Sequence, residues 1–94
     1  MTTAPDPRPL FSTALATAAA TIAGVRPDQL EAPTPCEDYD VRSMLGHLVS
    51  VVGRVTALAE GTDPMAVPTV TTGLADDEVE ARFTASADRG VAAW

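Results

Sequence analysis

Ninety-four residues allow one small domain and no more. Thirteen acidic side chains against six basic ones, every one of them arginine, give a net charge of -7, which a phosphate backbone repels, so nucleic acid is excluded as a partner. There is no run of roughly 18 apolar residues to span a membrane, and the polar, proline-containing start does not resemble a secretion leader.

Residues 1–8 are expected to be a disordered lead-in, with residues 9–94 as the folded part. Pro9 suits the first turn of a helix, where its missing N–H costs nothing. From Leu10 the pattern is helical: Phe11, Ala14, Leu15, Ala18 and Ile22 draw one apolar stripe, with Thr13, Thr17 and Thr21 opposite. Gly24, with Pro27 beyond it, stops that helix. Pro27, Pro33 and Pro35 forbid a long helix before Tyr39, although one turn at 27–30 could tuck Leu30 inward. Asp40 is a good N-cap for a second helix over 41–60. Its expected core face is Val41, Met44, Leu45, Leu48, Val52, Val55 and Ala59, widened by Val49, Val51 and Leu58. Gly61 and Pro64 end it.

Residues 62–73 are expected to be a loop. Asp76, Asp77 and Glu78 place negative charge at the start of a third helix over 76–94, where the helix dipole favours it. Val79, Phe83, Ala87 and Trp94 form its narrow stripe. The fold class is therefore all-α, three helices packed up-down-up. The core is lean: 17 residues are alanine, and Leu, Ile, Val and Phe together number 20.

Few residues carry chemistry. His47, the single histidine, lies at the edge of the second helix's apolar face. Three roles suit it: a partly buried structural histidine, a metal ligand, or a general base. One histidine cannot hold a catalytic metal, which needs about three protein ligands and an open position. Asp38, Asp40 and Glu60 are the nearby carboxylates, but none stands four residues from it. Cys36, the single cysteine, is expected to be a small buried hydrophobe, because Glu37, Asp38 and Asp40 oppose thiolate formation. With no second cysteine, a reducing cytoplasm is the expected setting. Tyr39 suits a hydrophobic staple before the N-cap. Gly46 and Gly53 fit either a close helix contact or a weakly constrained surface.

One segment is more specific. Residues 25–49 contain Thr34-Pro35-Cys36, Tyr39, Asp40-Val41-Arg42 and His47-Leu48. This succession resembles the N-terminal part of the DinB-like, mycothiol-dependent maleylpyruvate isomerases of actinobacteria, in which the aromatic is more often tryptophan. The lysine-free, alanine-rich composition agrees with such a source. The resemblance implies an up-down four-helix bundle of which this chain holds three helices, the fourth being absent. It implies a divalent metal, zinc or similar, held by three ligands, with His47 in the place of the first. The other two would come from a C-terminal half not in this chain. It also implies mycothiol as a small-molecule thiol, whose pKa the metal would lower for isomerisation or thiol transfer. On that basis the chain is expected to be the N-terminal part of such a protein, inactive alone, associating as a homodimer or with the missing half. The other expectation is a non-enzymatic helical association module.

Overall fold

The structure is a computed structural model that describes residues 5–94. Residues 1–4 of the expected lead-in lie outside the described residues. Three helices form: α1 (Arg8–Ala23), α2 (Val41–Glu60) and α3 (Val79–Ala93), with single 3-10 turns at Pro27–Gln29 and Pro64–Ala66. Among the described residues there is no strand, only one isolated antiparallel bridge between Pro33 and Asp40. No helix there is long and apolar enough to cross a membrane.

α1 keeps its threonines in water. The Thr13, Thr17 and Thr21 hydroxyls each donate to the carbonyl four residues back, at 2.9–3.0 Å. Leu15 and Ile22 are buried, with Phe11 and Ala18 half-buried beside them. The 27–29 turn brings Leu30 inward to 2% exposure. The segment that follows closes the start of α2. The Val41 N–H donates to Ala32 O at 3.0 Å and the Arg42 N–H to Leu30 O at 2.8 Å. The Ser43 N–H donates to the Asp40 carboxylate at 2.8 Å and the Met44 N–H to the Asp40 carbonyl at 3.0 Å. The Met44 bond is the first regular bond of the helix, and the three N–H groups ahead of it, those of Val41, Arg42 and Ser43, all have partners, two of them supplied by the proline-rich connection.

The direction of α3 differs from the up-down-up expectation. Arg42, at the start of α2, reaches Leu74 O and Asp76, just before α3. At the other end, Glu60 pairs with Arg89 at 2.9 Å, and the Trp94 indole N–H donates to Val55 O at 3.1 Å. α2 and α3 therefore run parallel. α1 runs against both: Arg8 donates to Trp94 O at 3.3 Å, while Ile22 and Val79 meet at the opposite end. The order is up, down, down. The connection from Gly61 to Glu78 makes this possible by travelling back along α2 instead of turning tightly. Gly61, at φ 75°, starts it in the left-handed conformation that favours glycine.

Phe83, 1% exposed, sits at the centre of the core with Leu15, Leu45, Val49, Val52 and Ala87 around it. The buried face of α2 is turned from the expected stripe. Leu45, Val49, Val52 and Thr56 face α3, and Gly46, Ser50 and Ala57 are also buried. Met44, Leu48 and Val55 are only half-buried, and Val51 and Leu58 are exposed. The returning connection causes the shift, because it covers the Gly46–Ser50–Gly53 side that the pattern assigns to solvent.

Candidate functional site around His47

His47 lies on the second turn of α2, half-buried, between Tyr39 and the returning connection. The Tyr39 ring centroid stands 5.8 Å from that of His47, tilted by 40°. The His47 Nδ1 is 2.8 Å from the carbonyl oxygen of Thr69. A carbonyl only accepts, so Nδ1 is the donor. In the neutral ring Nε2 then carries the free lone pair. An imidazole in this state can ligate a metal or accept a proton at Nε2, and a backbone carbonyl on the other nitrogen is one of the common partners of a ligating histidine, beside carboxylate and water.

Residues 67–71, the strap, hold that carbonyl in place. Arg54 donates twice to Val67 O, at 3.2 and 3.0 Å, and more weakly to the Thr69 hydroxyl at 3.4 Å. The Thr71 N–H donates to Gly46 O at 3.1 Å, and the Ser50 and Thr71 hydroxyls share a hydrogen bond of 2.8 Å. A Cβ on Gly46 would stand 2.2 Å from Thr71 O, so only glycine admits the strap this closely. Of the two readings open for Gly46, close contact holds, but with a loop and not a helix. Gly53 faces Val67 at ordinary contact distance.

The carboxylates near His47 in sequence do not join it. Asp40 is engaged at the helix cap, and the Ser43 N–H holds its carboxyl below the ordinary value. Glu60 pairs with Arg89, which lowers its carboxyl likewise. It also lies 13 residues along the helix, about 20 Å away at 1.5 Å per residue. Among the described residues no three His, Cys, Asp or Glu side chains gather closely enough to hold a metal ion. His47 fits one ligand position, and the described residues alone do not fit a metal centre.

Cys36 is exposed, against the expectation that it is buried. Its backbone explains the position. Thr34 Oγ1 accepts from the Cys36 N–H at 3.2 Å and bonds to the carbonyls of Cys36 and Tyr39 at 2.9 and 2.6 Å. The Thr34-Pro35-Cys36 segment is a turn fastened through Thr34, which leaves the thiol outside. Arg42 of the Asp40-Val41-Arg42 segment is also structural here: it donates to Leu74 O at 2.7 Å and pairs with Asp76. Arg54, Thr69 and Thr71 carry no motif that marks them in the sequence. Their one sequence signal was the small-residue strip of Gly46, Ser50 and Gly53, which marks where a segment can lie close on α2.

Comparison with curated proteins and with solved structures returned no match. The family model for the mycothiol maleylpyruvate isomerase N-terminal domain matches residues 11–94, from the first turn of α1 to the end of α3. The three helices, the capped entry to α2 and the strap-bound histidine are thus the parts of one family domain, and the chain belongs to the mycothiol maleylpyruvate isomerase N-terminal domain family.

Proposed function

We propose that this domain presents His47 as one ligand of a divalent metal centre, zinc or a similar ion, in a mycothiol-dependent isomerase or thiol transferase. The observation that carries this reading is the Nδ1–H to Thr69 O hydrogen bond, which leaves Nε2 free. The described residues offer one donor and no three-ligand group, so the domain alone is inactive and the remaining ligands come from elsewhere. The setting is an actinobacterial cytoplasm, where an exposed lone thiol such as Cys36 stays reduced.

The test is zinc titration of the chain, followed by the His47 ring resonances and by calorimetry, beside a His47→Ala control. Weak binding that perturbs Nε2 is expected. Unperturbed ring resonances at saturating zinc would remove His47 from the ligand set. Micromolar binding lost in the control would show that the chain completes a site by itself.

A second reading, a non-enzymatic association module, is favoured by one surface. Val51 and Leu58 on α2 are 41% and 60% exposed, and Trp94, bonded to Val55 O, is 48% exposed. An apolar strip of this kind suits a second copy of the chain or a further helical segment. Sedimentation of the wild type against Leu58→Glu tests it, and a monomer in both refutes self-association.

A further inference from the structure

Apart from the Val67 N–H, which donates to Pro64 O at 3.2 Å, the strap's hydrogen bonds converge on one helix face. It forms no strand pairing, so its backbone groups take partners from α2: Gly46 O accepts at Thr71, and Arg54 donates at Val67. Between these two fastenings lies Thr69, whose carbonyl accepts from His47 Nδ1. Thr69 therefore touches both His47 and Arg54, which stand two helical turns apart. A backbone carbonyl on an exposed loop residue holds one orientation only if its neighbours are fixed. Here the residues two positions to either side of Thr69, Val67 and Thr71, are the fixed ones.

We infer that the 67–71 strap is a tautomer lock on His47 and that Arg54 is its positioning residue. Arg54 holds Val67 O through two donors of one rigid guanidinium, a geometry that lysine's single ammonium does not reproduce. That grip sets the path of the strap, and the path sets where Thr69 O meets the imidazole. With the lock closed, Nε2 is always the nitrogen on offer. With it open, the proton is free to move to Nε2 and the ligand atom is lost in that fraction of molecules. The functional meaning rests on His47 being a ligand, but the lock itself is a property of the metal-free chain.

The experiment is nitrogen-15 NMR of the His47 ring in the metal-free chain, in alkaline buffer where imidazole is neutral. The wild type is expected to show the Nδ1–H tautomer as the main species. Arg54→Ala is expected to give a mixture of both tautomers while the helical circular dichroism is unchanged, and Arg54→Lys an intermediate ratio. Gly46→Ala, which displaces the strap from its other end, is expected to give a mixture as well. A wild-type ring protonated at Nε2 overturns the inference, and so does an Arg54→Ala ring with the wild-type ratio. A closed lock in a chain whose ring ignores zinc overturns only the metal reading, so the two failures are distinguishable.

Discussion

Alanine at Gly46 and at Gly53 should shift stability in opposite directions, although both glycines lie inside the same helix. By helix propensity alone each substitution stabilises, by up to about 1 kcal/mol. At Gly53 the new Cβ meets Val67 Cγ1 at 3.4 Å, an ordinary contact, so the gain should be realised. At Gly46 the new Cβ stands 2.2 Å from a backbone carbonyl oxygen and 3.2 Å from Val70 Cγ1. The strap must retreat by about 1 Å to reach normal van der Waals separation. That movement breaks the Thr71 N–H bond to Gly46 O and the Ser50–Thr71 bond. The first costs about 1 kcal/mol, and a hydroxyl left unpaired on Ser50, which is 1% exposed, about 1–3 kcal/mol. Less the propensity gain, Gly46→Ala is destabilised by about 1–3 kcal/mol. At about 4–8 °C per kcal/mol for a domain this small, the melting temperature falls by roughly 5–20 °C, while Gly53→Ala raises it by a few degrees. Thermal unfolding followed by helical circular dichroism measures both. A Gly46→Ala protein that melts higher than wild type would show that the strap does not lie against α2.

Phe83→Ala should remove about 3–5 kcal/mol, a large share of the total for a domain this size, and leave little folded protein at 37 °C by circular dichroism. Arg42→Ala should lower the melting temperature more than Asp76→Ala, because it also leaves Leu74 O without its donor; equal losses would reduce Arg42 to a surface ion pair. Acid should loosen the helix cap: the folded-state carboxyl of Asp40 lies below its ordinary value, so its contribution is complete above about pH 4 and disappears as pH falls through the lowered value. Thermal melts across that range should fall less steeply in Asp40→Asn, and an identical slope would remove Asp40 from the acid response.

The local signals in the sequence were sufficient wherever one element decided the outcome. Asp40, Gly61 and the 27–30 turn are each governed by capping or by proline's fixed geometry, and each appears where those rules place it; Gly24 also ends α1 as expected, but in the right-handed conformation, without the left-handed cap. The charge run at 76–78 shows where a local rule gives way. Favourable interaction with the helix dipole would put all three acids on the first turn of α3, yet the helix begins at Val79 and Asp76 is taken by Arg42. A tertiary ion pair and the Leu74 carbonyl together outweigh the modest dipole term. Cys36 follows the same logic in reverse. Its small apolar side chain suggests burial, but Thr34 fixes the turn's backbone first, and the side chain points wherever that backbone leaves it.

The direction of α3 and the surroundings of His47 have one common cause. Apolar periodicity records which face of a helix is buried, but not whether a helix or an extended segment buries it, and it carries no information on chain direction. A long connection between α2 and α3 was visible, and a bundle with short loops would have made the helices antiparallel neighbours. Because this connection instead travels the length of α2, it makes α3 parallel and lays residues 67–71 over Gly46, His47, Ser50 and Arg54. The same chain path therefore turns the buried face of α2, exposes Val51 and Leu58, and supplies the carbonyl at His47 Nδ1. A lone histidine on a helix is chemically ambiguous. It becomes a defined donor only through a residue 22 positions further along the chain, Thr69, whose own side chain gives no hint of the role because its backbone performs it.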